Sequence, residues 1–184
     1  MPGRPAWAVF LGLASAIVVV DQLVKEWILA NFRLEAPVDI VGDYVRITIV
    51  HNSGGLFGLF QNEAPVFALV SLVVIGAIVW FHARAAAGNL LVSVTLGLLL
   101  GGAIGNLIDR LRFSYVVDFV DAGIGGWRWY TFNVADSAIS ASLVLLIVLA
   151  LWSGRTPQAD RGRLGPPGAG PADGRTSPDR RSAG

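Results

Sequence analysis

Two aspartates stand in or beside apolar runs: Asp118 in "SYVVDFV" (114–120) and Asp136 in "FNVADSAI" (132–139). Tyr115, Val116, Val117 and Phe119 desolvate the first and raise its pKa. The second falls where a helix begins, and the positive end of a helix dipole favours a carboxylate there by a few tenths to about 1 kcal/mol. Two carboxyls in contrasting settings suit an acid–base pair, one taking a proton from water while the other donates to a carbonyl oxygen. Such a pair hydrolyses an amide with neither metal nor covalent intermediate. Asp136 has a structural reading as well, as the N3 partner of an Asn133 N-cap. Residue chemistry alone leaves both readings open.

Other polar residues recur at telling intervals. Asp21 and Lys25 are four apart and share one helix face, about 22 Å along a helix starting near residue 6. An unpaired charge at that depth of a bilayer costs several kcal/mol, so the pair reads as a brace for a helix bundle. "HNSGGLFG" (51–58) offers the Asn52 amide and a backbone at Gly54-Gly55 that lets a ligand approach closely. It reads equally as a glycine-rich turn into an interfacial helix bearing Phe57 and Phe60. Gly97, Gly101 and Gly105 recur every four residues, a face on which helices pack closely in lipid. That stripe runs on to Asp109, with Asn106 and Arg110 beside it. Arg110 is suited to a lipid phosphate, to Asp109 or to a substrate carbonyl.

Other nucleophile chemistries fit poorly. A Ser/Lys dyad needs Lys25, the only lysine, which Asp21 already engages; a Ser-His-Asp triad needs His51 or His82. Cysteine is absent, which removes disulfides, thiolate–zinc sites and thiol nucleophiles. No metal site or cofactor is expected.

The elements that must carry these residues are membrane spans. The chain is 54% hydrophobic and 15% charged, against roughly 25% charged in soluble domains. Apolar segments at about 6–30, 64–81, 88–108 and 134–152 are each near the roughly 20 residues a spanning helix needs. The first continues past the "ASA" at 14–16 and is expected to stay uncleaved. The short loop with Arg84 and the arginine-bearing tail favour cytoplasmic N- and C-termini, which puts ten of the thirteen acids at or beyond the outer surface. "VDIVGDYVRITIV" reads as a strand hairpin around Gly42-Asp43, and "SYVVDFV" with "WRWYTF" as a second pair split by 122–126. The expected fold is a mainly α membrane protein: four transmembrane helices with a small extracytoplasmic β platform, in one domain over 1–153. Residues 154–184, rich in Gly, Pro and Arg, read as a disordered cytoplasmic tail. A net charge of +1 gives no case for nucleic acid as a partner.

Taken in order, "DQLVK" (21–25), "NSGGLFG" (52–58), "GNLIDR" (105–110), "VVDF" (116–119) and "FNVADS" (132–137) resemble the lipoprotein signal peptidases, or signal peptidase II. The resemblance covers about residues 6–152. It departs at Gly55-Leu56, where the family often has alanine. It implies an aspartyl endopeptidase of the bacterial cytoplasmic (inner) membrane. Such an enzyme removes signal peptides from diacylglyceryl-modified prolipoproteins by cleaving before the lipidated cysteine. By that resemblance Asp118 and Asp136 are the catalytic pair. Asn52, Gly54, Asn106, Arg110 and Asn133 are substrate-binding, and Asp21, Lys25 and Asp109 are supporting. Lipid-modified prolipoprotein and membrane phospholipid are the expected partners of a monomeric, multi-pass enzyme with its site at the outer face. Two rivals are a proton- or cation-coupled carrier, which needs acids near mid-bilayer, and a structural scaffold, which leaves the ordered polar motifs unexplained.

Overall fold

A computed structural model describes residues 4–34, 36–54, 63–86 and 88–153. The expectations for Gly55, Phe57, Phe60 and the tail fall outside those residues. Four helices are long and apolar enough to cross a membrane. They are α1 (Arg4–Asn31), α2 (Ala64–Phe81), α3 (Leu90–Phe113) and α4 (Val134–Ser153). The strands are β1 (Val38–Val41) and β2 (Val45–Asn52) between α1 and α2, and β3 (Val116–Ile124) and β4 (Trp127–Arg128) between α3 and α4.

Helix α3 is the axis of the bundle and packs against α1, α2 and α4. It starts on Asn89, whose side chain accepts from the Leu91 and Val92 amides, a standard N-cap. It runs beyond the expected 88–108 as far as Phe113, because the row carrying Asp109 and Arg110 is still helical. It ends at Ser114, in the left-handed region at φ 65°. That reversal sends the chain straight into β3. Helices α2 and α4 expose large apolar side chains such as Leu69, Val73, Ile147 and Leu151, as a lipid-facing surface requires.

Small residues set the distance between helices. A Cβ on Gly101 would lie 2.7 Å from Ile17 Cβ and 2.8 Å from Ala14 O. One on Gly105 would lie 2.8 Å from Asp21 Oδ2, so that glycine makes room for a carboxylate as well as a helix. The expected stripe is therefore the α1 face of α3. Gly102, outside that stripe, does the same for α4, with Ala135 O 2.5 Å from its Cβ position.

The strands form one four-stranded antiparallel sheet in the order β1-β2-β3-β4, rather than two separate pairs. The link is β2 with β3, from Val45 opposite Ala122 to Asn52 opposite Val116. Two details differ from expectation. Strand β3 continues through 122–124 and turns only at Gly125-Gly126, and the returning "WRWYTF" keeps two strand residues before leaving the ladder. Phe132 rejoins it by exchanging backbone bonds with Val120. Beneath the sheet Ile28, Ile49, Val117 and Phe119 form one apolar cluster. At the far end of the bundle Phe10, Ala14, Ile78, Leu96 and Leu100 form another. There His82 stacks on Phe10 at 4.0 Å and meets Ser93 Oγ at 3.1 Å.

Gly102→Ala is expected to lower stability by about 1–3 kcal/mol through overpacking, read as a lower thermal unfolding midpoint in detergent. Gly76→Ala, at a position with nothing within 4 Å, should be neutral or slightly stabilising in the same measurement.

Candidate active site

Local sequence places Asp136, and strand β3 carries Asp118. Asn133 Oδ1 accepts from the Asp136 amide at 2.9 Å, and Asp136 Oδ2 accepts from the Asn133 amide at 3.3 Å. These are the reciprocal bonds of a capping box, and they fix Asp136 at the first turn of α4. Asp118 is on β3, whose pleat turns Val117 and Phe119 to the opposite face.

Tertiary contacts then join the two. Asn133 Nδ2 donates to Asp118 Oδ1 at 2.7 Å and to Asn106 Oδ1 at 3.1 Å. Asn106 Nδ2 donates to Asp136 Oδ1 at 2.7 Å. From β2, Asn52 Nδ2 donates to Asp118 Oδ2 at 3.1 Å. Each carboxylate is thus held by asparagine amides, and no ion pair to either is formed among the described residues. Asp118 is only 2% exposed. Its pKa is raised from the ordinary 3.8 to about 7, by burial first and by the negative charge of Asp136 second. The bonds from Asn52 and Asn133 and the charge of Lys25 pull it part of the way back. The direction matches the sequence reading, but the surroundings differ: Val117 and Phe119 belong to the cluster under the sheet, and the carboxyl itself lies against Asn52 of β2 and Asn133 at the start of α4.

Both acids line a cavity of about 790 Å³ between α2, α3 and α4. Asp118, Asp136, Asn52, Asn106 and Arg110 form its polar end, and Phe67, Val70, Val74, Leu99, Leu143 and Val144 its apolar length. The segment 129–132 closes one side. Arg110 donates to Gly54 O at 3.2 Å and to Asn106 O at 3.3 Å, and lies over the Phe67 ring at 5.6 Å. Its Nε is buried with no hydrogen-bond partner among the described residues. Gly54 in turn donates its amide to Asn52 Oδ1 at 3.1 Å.

Asp21, Lys25 and Asp109 assemble behind this wall. Lys25 Nζ lies 2.7 Å from Asp21 Oδ2 and 2.8 Å from Asp109 Oδ2. Asp21 accepts the Ala135 amide at 2.9 Å and Asp109 the Val117 amide at 3.1 Å, so each acid also grips the backbone beside one carboxyl of the cavity. Sequence reasoning assigned no role to Gln22, which donates to Asp109 Oδ1 at 2.9 Å. Its place one residue after Asp21 was the available signal. Ser137 and Ser140, to which the sequence analysis assigns no role, also line the cavity.

A family model described as Signal peptidase (SPase) II matches residues 13–152. The chain belongs to this family. It is 40% identical over 154 residues to the lipoprotein signal peptidase of Moorella thermoacetica, covering 84% of this chain and 97% of that protein. It is 35% identical over 145 residues to that of Syntrophus aciditrophicus, covering 76% and 89%. Among solved structures, a bacterial membrane enzyme determined by the in meso method at 2.3 Å resolution superposes with a TM-score of 0.77. That enzyme is 28% identical, with 82% of this chain and 92% of that one covered. The chain is thus a multi-pass membrane protein of a peptidase family, and the five motifs lie within the matched region.

The raised pKa of Asp118 has a consequence for stability. The folded chain binds this proton more tightly than the unfolded chain, so stability falls as pH rises from about 4 through about 7. Asp118→Asn removes that loss. Its thermal midpoint in detergent, relative to the natural protein, should climb across this window and level off above it; a difference independent of pH would contradict the buried, proton-retaining carboxyl.

Proposed function

We propose that Asp118 and Asp136 are the catalytic dyad of an aspartic endopeptidase. In this reading the enzyme cuts diacylglyceryl-modified prolipoproteins before the lipidated cysteine and releases the signal peptide. The observation that carries the reading is the meeting of a buried carboxyl, Asp118, and a half-buried one, Asp136, both held by amides, at the polar end of an otherwise apolar cavity. Removal of signal peptides from prolipoproteins is the activity of the family to which the chain belongs. The dyad supplies the chemistry for it.

In this mechanism the pair shares one proton, carried into the first step by Asp118, while Asp136 at the start of α4 accepts from two donors and serves as the base. Asp136 takes a proton from a water held between the two as that water attacks the scissile carbonyl carbon. Asp118 donates its proton to the carbonyl oxygen, giving a tetrahedral diol. The roles then reverse: Asp118 recovers a proton as the carbonyl re-forms, and Asp136 donates to the departing amine. The pH dependence belongs to the pair rather than to either residue. The Nε of Arg110, without a partner among the described residues, is suited to a substrate carbonyl, alongside Asn52 and Gly54. The apolar length of the cavity takes the signal-peptide side chains, while the diacylglyceryl chains stay among membrane phospholipid.

In the same reading the enzyme is monomeric and both termini are cytoplasmic. The sheet end of the bundle faces outward, and residues 1–153 form the peptidase domain, with 154–184 a tail dispensable for chemistry. The acids gather at this one end of the bundle, which is where a peptidase needs them and a mid-bilayer ion path does not.

Asp118→Asn and Asp136→Asn should each lower prolipoprotein cleavage by on the order of 100- to 10,000-fold, the range for losing a general acid or base. Full activity in either variant sinks the dyad. Comparison of lipidated with unlipidated prolipoprotein tests the substrate class, with cleavage expected for the lipidated form alone.

A further inference from the structure

Behind the proposed dyad, hydrogen bonds run in one direction. Lys25 Nζ, a donor with no acceptor capacity, donates to Asn106 Oδ1 at 3.4 Å. The same oxygen accepts from Asn133 Nδ2 at 3.1 Å. With two donors facing its oxygen, the Asn106 amide can only point its nitrogen at Asp136, which it does at 2.7 Å. Asn133 is fixed in the same sense, its nitrogen on Asp118 and its oxygen on the Asp136 amide. Turning Asn106 over would set its NH2 group against an ammonium ion and against a second NH2 group, with all of these side chains buried.

We propose that Lys25 is a positioning residue for catalysis: its charge sets the direction of the Asn106 and Asn133 amides, so that the dyad meets only donors from behind and resists taking up a second proton. This rests on the dyad reading above. The charged groups around Lys25 are Asp21 on its own helix, Asp109 and Arg110 on α3, Asp118 on β3 and Asp136 on α4. From β2 the nearest polar contributor to the dyad is the Asn52 amide. Lys25 and Arg110 are the two cations in this group. Arg110 sits on the cavity side, which leaves Lys25 as the cation behind the dyad. The charge of Lys25 does favour the ionised form of Asp118.

The sign of the effect follows. An aspartic dyad works with one proton, and its activity falls at low pH as the second binds. Without the ammonium, Asn106 is free to turn its oxygen to Asp136 and accept from a protonated carboxyl, which stabilises the inactive doubly protonated state. Lys25→Met should therefore move the acid limb of the cleavage rate upward by about one pH unit. Asp21→Asn removes a negative charge beside the same ammonium and should move the limb downward.

The test is the initial rate of lipidated prolipoprotein cleavage, from about pH 4 to pH 8, for the natural protein and both variants in one detergent. Opposite displacements of the acid limb support the proposal. Lower amplitudes with limbs that superimpose on the natural profile overturn it and leave Lys25 as a structural brace. Should Lys25→Met fail to fold, the Asp21→Asn profile decides by the same criterion. Failure of the dyad itself has a separate signature, retained activity in Asp118→Asn.

Discussion

Lys25 Nζ lies between Asp21 and Asp109 at 2.7 and 2.8 Å, and the three side chains are almost wholly excluded from solvent. In such an interior, removing one partner of an ion pair leaves an uncompensated charge, at about 3–5 kcal/mol. The cluster therefore admits one arrangement of α1 against α3. Each of its acids also accepts a backbone amide, Ala135 for Asp21 and Val117 for Asp109. Those two amides sit beside Asp136 and Asp118, so the ion cluster fixes the separation and orientation of the elements that carry the two carboxyls. Gly105 is part of the same constraint, because any side chain there would collide with Asp21.

The cavity follows from how the remaining surfaces are shared. Helix α3 spends one face on α1 through Gly97, Gly101 and Gly105, and another on α4 through Gly102. What it leaves uncovered, Leu99, Ala103, Asn106 and Arg110, becomes the cavity wall. The polar members of that row lie at the sheet end, where β2 and β3 supply Asn52 and Asp118. A long apolar slot ending in two hydrogen-bonded carboxyls suits a mostly hydrophobic peptide cut at one end. Sheet, bundle and chemistry thus meet at a single place, and the same amides that satisfy buried polar groups hold the proposed catalytic ones.

Much of this was legible in advance because its physics is local. The four spans follow from the length of uncharged runs, the Asp21–Lys25 pair from a spacing of four, the cap of α4 from Asn133 and Asp136 three apart, and the β1–β2 hairpin from Gly42. The role of Gln22, the pairing of β2 with β3 and the use of Gly102 against α4 were not legible. Each depends on residues separated by tens of positions that no single-chain periodicity connects. The raised pKa of Asp118 shows the boundary well. Its apolar neighbours gave the right direction, yet the pleat sends two of them away, and the groups packed on the carboxyl are Asn52 and Asn133, 66 and 15 residues away in sequence.

The sequence by itself determined the membrane class, the number and approximate position of the helices and, through five motifs in order, the peptidase family. Those properties depend on composition and spacing along the chain. Only the tertiary structure decided which polar residues face the cavity and which stand behind it. Asp109 and Arg110 are adjacent in sequence, but successive helix positions point about 100° apart. Packing against α1 draws Asp109 to Lys25 and leaves Arg110 to the cavity.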